Sequence, residues 1–204
     1  MPDLPPPVPA IEFVLSSRGM SKGLAQTDGA QALVRGQLAF GEIYFSAYAK
    51  NVDSSTADGE AAAQIGVRDS AGGFDLSATA GLKRAIDPTP GSDKNALEVN
   101  ASLGRKIGRL SPKLSLTWSP DDVGSTGRTI FAEASAGYHL GDSFSASAAI
   151  GRRERTGGGD YTAWNAGLAW SAKPLTIDLR YYDTDGGDSH AYRERVVVSA
   201  RLKL

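Results

Sequence analysis

The 204-residue chain contains no cysteine. Disulfides and thiolate metal sites are therefore excluded. It also contains no unbroken apolar run of about 18 residues, the length a helix needs to cross a bilayer, so a transmembrane helix is excluded as well. The formal net charge is only −1, which leaves no electrostatic case for nucleic acid as a partner. Mean hydropathy is −0.25, so no bulk measure points to a membrane. None of these absences excludes a membrane-spanning barrel, whose strands alternate apolar and polar residues and average out.

What the sequence does contain is period-two alternation and glycine, 24 residues of it. The prolines at the start (Pro2, Pro5, Pro6, Pro7 and Pro9) deny the segment helix or ladder bonds. Residues 1–10 are read as an extended N-terminal segment and residues 11–204 as a single β-barrel domain. The start has neither the basic stretch nor the apolar core of a signal peptide. The expectation is an export signal that has been removed, with Met1 as an added start.

Alternation over the remainder yields about twelve candidate strands of roughly nine to eleven residues, the length a tilted bilayer-crossing strand needs. Leu97, Val99, Ala101 and Leu103 share one face, and Glu98, Asn100 and Ser102 the other. Leu114, Leu116 and Trp118 oppose Lys113, Ser115, Thr117 and Ser119. Ile130, Ala132, Ala134, Ala136, Tyr138 and Leu140 oppose Glu133, Ser135, Gly137 and His139. Leu175, Ile177, Leu179 and Tyr181 oppose Thr176, Asp178, Arg180 and Tyr182.

The connections alternate too. Short turns fall at Gly41-Glu42, Ala71-Gly72-Gly73, Ile107-Gly108-Arg109, Gly141-Asp142 and Ala172-Lys173-Pro174. Longer polar loops fall at Gly19 to Ala30, Val52 to Glu60, Arg84 to Asn95, Pro120 to Gly127, Arg152 to Asp160 and Asp183 to Tyr192. This is the pattern of an all-β, antiparallel, up-and-down transmembrane barrel in a Gram-negative outer membrane, with short periplasmic turns and longer extracellular loops. An unpaired edge in hydrocarbon leaves backbone groups without partners. The first strand (near Ile11 to Arg18) must therefore close on the last (near Arg195 to Leu204).

Aromatics on the apolar face form two belts. Phe13, Phe40, Phe45, Phe74, Tyr138, Phe144 and Trp170 lie near short-turn ends, and Trp118, Trp164 and Tyr181 near long-loop ends. Amphipathic rings favour the two water–lipid boundaries.

The same parity sends polar residues inward. The expected pore lining is Glu12, Arg35, Gln37, Gln64, Arg68, Asp75, Lys83, Glu98, Asn100, Lys113, Glu133, His139, Asn165, Asp178, Arg180, Arg195, Arg201 and Lys203. Buried charges must pair or face water. The basic group Arg180, Arg195, Arg201 and Lys203 either favours anions or neutralises Asp178, Glu98 and Glu133, and the second reading is preferred.

Several segments resemble the TorF-type family of outer-membrane porins, conserved proteobacterial proteins of unknown function. They are Arg18-Gly19-Met20-Ser21, Gln26-Thr27-Asp28-Gly29, Gly36, Tyr44, Asn51-Val52-Asp53, Glu98, Trp118-Ser119-Pro120-Asp121-Asp122, Glu133, Asp160-Tyr161, Trp164, Gly167 and the stretch from Asp178-Leu179 through Tyr181-Tyr182-Asp183-Thr184-Asp185. The matches run in order through nearly the whole chain. The resemblance implies an outer-membrane barrel and a channel, and it carries over no catalytic residue. The chain departs from the usual pattern of such barrels by ending in Leu204 rather than an aromatic residue.

Other motifs have plain readings. Arg18-Gly19-Met20-Ser21 is read as a strand end with a turn glycine, in preference to a loop folding into the lumen. Asp183-Thr184-Asp185-Gly186-Gly187-Asp188 has some spacing of a calcium loop, but Gly187 stands at a ligand position, so it is read as a solvated acidic loop. No metal or cofactor is expected. Asp58, Asp93, Asp121 and Asp122 are read as an acidic external face that contacts lipopolysaccharide through divalent cations. Arg152-Arg153-Glu154-Arg155 is read as a solvated rim. His139 and His190 lack a matching serine motif, so no enzyme is expected. The expected partners are outer-membrane lipids, lipopolysaccharide and small polar solutes or ions. Two functions follow: a narrow channel, or a closed-lumen structural or ligand-binding barrel.

Overall fold

A computed structural model describes residues 5–54, 57–124 and 126–204. Twelve strands close into one antiparallel barrel. They are β1 (Val8–Ser16), β4 (Gln31–Phe40), β5 (Ile43–Ser54), β6 (Ala57–Ala71), β7 (Phe74–Ile86), β8 (Asn95–Arg105), β9 (Leu110–Asp122), β10 (Gly127–His139), β11 (Phe144–Arg155), β12 (Tyr161–Ala172), β13 (Leu175–Thr184) and β14 (Arg195–Lys203). A separate two-stranded hairpin, β2 (Met20–Ser21) and β3 (Leu24–Ala25), lies between β1 and β4, and His190–Tyr192 form one 3-10 turn before β14. Each barrel strand pairs with its sequence neighbours, and β1 closes the ring against β14. Leu15 stands opposite Ala32 on one side and Ala200 on the other. Backbone bonds between Ile11 and Leu204 extend that closure.

The usual soluble pattern is inverted. Leu82 is 65% exposed while its neighbour Lys83 is 5% exposed, and Leu97 is 39% exposed against 9% for Glu98. Leu116, Leu168, Leu179 and Val196 are exposed on the same outer face. An apolar surface of this extent around a polar interior is stable only in contact with acyl chains. Short turns gather at one rim. The connection between β6 and β7 is the pair Gly72-Gly73, both with positive φ. That geometry matches the twist of the flanking strands, and glycine adopts it at no steric cost.

At the opposite rim the expected loops need two corrections. The segment from Val52 to Glu60 is mostly ladder, because β5 runs to Ser54 and β6 begins at Ala57, while residues 55 and 56 lie outside the described set. Residues Gly19 to Ala30 are no simple strand end and surface loop, because they contain the β2–β3 hairpin. Residues 1–4 also lie outside the described set, and β1 starts at Val8.

Candidate functional site in the barrel lumen

Cross-strand register places the eighteen polar candidates on one sheet face. Glu12 faces Lys203 and Arg35. Gln37, Ser46, Gln64, Gly81 and Glu98 form a row across β4 to β8. Arg68 stands opposite Ser77, Lys83 opposite Ala96, and Asp75 opposite Gly104, which faces Lys113. Asn100 faces Thr117, and Glu133 lies between Ser115 and Gly151. His139 faces Ser145 at the turn rim. Asn165, Tyr182 and Arg195 continue one row, Gly167 and Arg180 another, and Asp178 and Arg201 belong to the same face. The aromatic candidates take the opposite parity. Phe40, Phe74, Tyr138, Phe144 and Trp170 stand beside turns, Trp118, Trp164 and Tyr181 stand nearer loops, and Phe45 is two residues above its turn. Phe13 lies further along its strand, between Val34 and Leu202.

The β2–β3 hairpin folds into the loop-end mouth. Its turn residues Lys22 and Gly23 both have positive φ, of 50° and 83°, as a two-residue hairpin turn with strand-matched twist requires. Lysine pays a local strain of order 1 kcal/mol there, and its side chain is fully engaged. Lys22 Nζ donates to Glu98 at 2.8 Å and Asp122 at 3.1 Å. Lys83 Nζ donates to the same two carboxylates at 2.9 and 2.5 Å. Arg153 Nη2 reaches Asp122 at 3.0 Å, and the Val123 amide caps it at 3.0 Å. Each buried carboxylate therefore meets several donors, the condition under which buried ions are tolerated.

The hairpin is fixed on two further sides. The Tyr161 hydroxyl donates to the Lys22 carbonyl at 2.7 Å. A Cβ on Gly23 would lie 2.1 Å from that of Ala163, so only glycine lets the turn sit against β12. Across the lumen, Lys50 Nζ donates to Gln26 Oε1 at 2.7 Å and pairs with Glu60 at 3.1 Å, while the Tyr48 hydroxyl donates to Glu60 at 2.7 Å. The hairpin is rooted between β1 and β4, and in the ring order β9 and β10 lie diametrically opposite, with Asp122 of the clasp on β9. It therefore bars the mouth from wall to wall. A cavity of about 370 Å³ flanks it.

The structure differs from four of the sequence expectations. Gly19 to Ala30 turn inward: the Gly19 amide bonds Thr27 and the Gly19 carbonyl bonds Gln26, while Arg18 bonds the Asp28 carbonyl. Asp122 belongs to the lumen and not to an external acidic face. Between the pairs Ser119–Thr129 and Asp122–Gly127, β9 advances three residues and β10 two. This bulge at Pro120-Asp121 reverses the parity. Arg153 is no solvated rim residue, since it is buried against Asp122, although Arg152 and Glu154 are exposed. Glu98 is neutralised by Lys22 and Lys83, and not by the basic group of β13 and β14. Within that group Arg180 pairs with Asp178 at 3.0 Å, Arg201 with Glu12 at 3.6 Å, and Arg195 bonds the carbonyls of His190 and Arg193.

A period of two does not single out Lys22, Tyr48, Lys50, Glu60, Asp122, Arg153 and Tyr161. The Lys22-Gly23 pair between two short runs was the available signal for the hairpin. In the calcium-like loop the carboxylates serve the backbone. Asp183 accepts from the Thr184 amide, and Asp185 accepts from the Thr162 amide at 2.5 Å, which holds its carboxyl below the ordinary aspartate value.

A closed twelve-stranded barrel with an apolar exterior and a charged interior is the fold of the small outer-membrane porins. The chain matches the model of a bacterial protein family of unknown function (Gcw_chp) over residues 15–202, and it belongs to that family. No curated protein matches it in sequence. In structure it is similar to the KdgM porin, with a TM-score of 0.66 and 10% identity over 95% of this chain and 98% of that one. It is also similar to a NanC porin, with a TM-score of 0.60 and 10% identity over 95% and 97% of the two chains. OpdK from Pseudomonas aeruginosa gives a TM-score of 0.52 and 12% identity over 88% of this chain and 58% of its own. A further KdgM structure is a complex with disordered oligogalacturonate.

Proposed function

We propose that the protein is a passive, non-enzymatic outer-membrane channel for small polar solutes or ions, with a preference for anions. The observation that carries this reading is the inner face itself, mainly polar and charged, with a cavity of about 370 Å³ beside the folded-in hairpin at the mouth. The polar candidates of the sequence line the pore in this reading, and the outward aromatics anchor the barrel at the two lipid boundaries. The likeness to TorF-type porins supports it. Toward the turn rim Arg35, Arg68, Lys113, Arg180, Arg201 and Lys203 outnumber Glu12, Asp75, Glu133 and Asp178. A low-dielectric wall lined mainly by one sign raises the local concentration of counter-ions. That KdgM is found with an oligomer of a sugar acid fits an anionic cargo for a barrel of this shape. Membrane lipids cover the outer face, and the loops contact lipopolysaccharide.

Single-channel recording of the purified protein in planar bilayers tests the proposal. Discrete steps with a reversal potential displaced toward anions are expected. Silence from protein that remains folded selects the other reading, a closed structural or ligand-binding barrel.

A further inference from the structure

The hairpin divides the mouth unequally. On one flank it packs directly against β12 and the end of β13. Gly23 abuts Ala163 of β12, Tyr161 holds the Lys22 carbonyl, and Tyr192 packs edge-on to Tyr161 with ring centroids 5.4 Å apart. The Thr184 methyl lies 3.9 Å from where a Gly23 Cβ would stand. On the other flank lies the 370 Å³ cavity. Its walls come from the hairpin, β5 to β9, β11 and the connection after β9, and none comes from β12, β13, β14, β1 or β4.

We propose that the hairpin is a fixed divider that makes the pore one-sided. Solutes cross the mouth only along the β5–β9 wall, where Tyr48, Lys50, Glu60 and Lys83 determine what passes. The inference rests on the channel reading and adds to it a path and a set of selecting residues. The fixity follows from the anchoring. An ion clasp to β8 and β9 and a hydrogen bond to β12 hold the two-residue turn, and a hydrogen bond from β5 holds Gln26 at the end of the hairpin. The selecting wall carries both signs. Lys50 and Glu60 are paired at 3.1 Å, with the Tyr48 hydroxyl on the same carboxylate. A solute in the gap therefore meets a donor and an acceptor side by side, so the gap favours small solutes that carry hydroxyl groups beside a charge.

The absence of cysteine makes the test clean. Ala85→Cys places a thiol on the open flank, and Thr184→Cys places one on the packed flank. Each variant is reconstituted in a planar bilayer and treated with a bulky methanethiosulfonate, with Val52→Cys as a second open-flank site should Ala85→Cys not fold. Modification at Ala85 or Val52 is expected to cut the single-channel conductance to roughly half or less, and Thr184→Cys is expected to keep nearly all of it. Equal loss from both flanks, or loss from Thr184→Cys alone, overturns the divider. The unlabelled protein is recorded first. Absence of steps at that stage removes the channel reading itself, and the divider with it, before any reagent is added.

Discussion

The two ends of the lumen handle charge differently. At the loop end Asp122 touches Lys22, Lys83 and Arg153 and is almost completely covered. At the turn end Asp75, Arg68 and Lys113 border an open hollow of about 520 Å³. Among the described residues Asp75 accepts only from the Ser70 hydroxyl, and neither Arg68 nor Lys113 has an ion-pair partner. Arg68 instead lies over the Tyr44 ring at 5.6 Å. The parity rule that points polar groups inward is the same at both ends. Coverage decides whether an inward charge is a structural partner or an exposed field source.

The largest expected contrast is therefore in stability. Asp122→Ala leaves the buried Lys83 and Arg153 and the half-buried Lys22 without their shared carboxylate and should cost about 3–5 kcal/mol, whereas Asp75→Ala should cost under about 1 kcal/mol. Heat-modified gel mobility or urea unfolding of the folded barrel measures both, and equal losses would erase the distinction between the ends. Next in size is Lys22→Met, which removes the clasp. Single-channel conductance should rise about twofold or more, and no change would mean that the hairpin does not narrow the path. Glu60→Gln frees Lys50 from its partner and should shift the reversal potential in a salt gradient toward anions, with Lys50→Gln shifting it the other way. At the turn end Arg201→Gln together with Lys203→Gln should lower anion conductance only at low ionic strength, because exposed charges are screened within about 10 Å at 0.1 M salt. The smallest effect concerns Asp185 in the last loop. Its folded carboxyl is held low by the Thr162 amide, so the bond is present above the ordinary aspartate value and is lost as pH falls through the lower folded value. Amide exchange at Thr162 should accelerate only in that acidic window.

Strand parity, the loop and turn asymmetry and ring closure were legible because each follows from local alternation and turn chemistry. The mouth was less so. A strict period of two places Asp122 outside, because it cannot register the extra residue of the bulge after Ser119. Arg153 lies in a run of charges whose members face opposite ways, which composition alone reads as uniformly solvated. Glu60 reads as a loop residue because the stretch before it is small and polar, although the ladder continues through it. The role of Lys22 is not legible locally, because it depends on Glu98 and Asp122, which lie 76 and 100 residues further along the chain.

Those separations bear on the order of assembly. The hairpin emerges directly after the first strand, yet the groups that capture it arrive with β8, β9 and β12, the last through a bond spanning 139 positions. Contacts so distant in sequence form late, since the intervening chain must first be ordered. The barrel wall is thus raised around an unfastened hairpin, and the entrance acquires its final width only after most of the wall is standing.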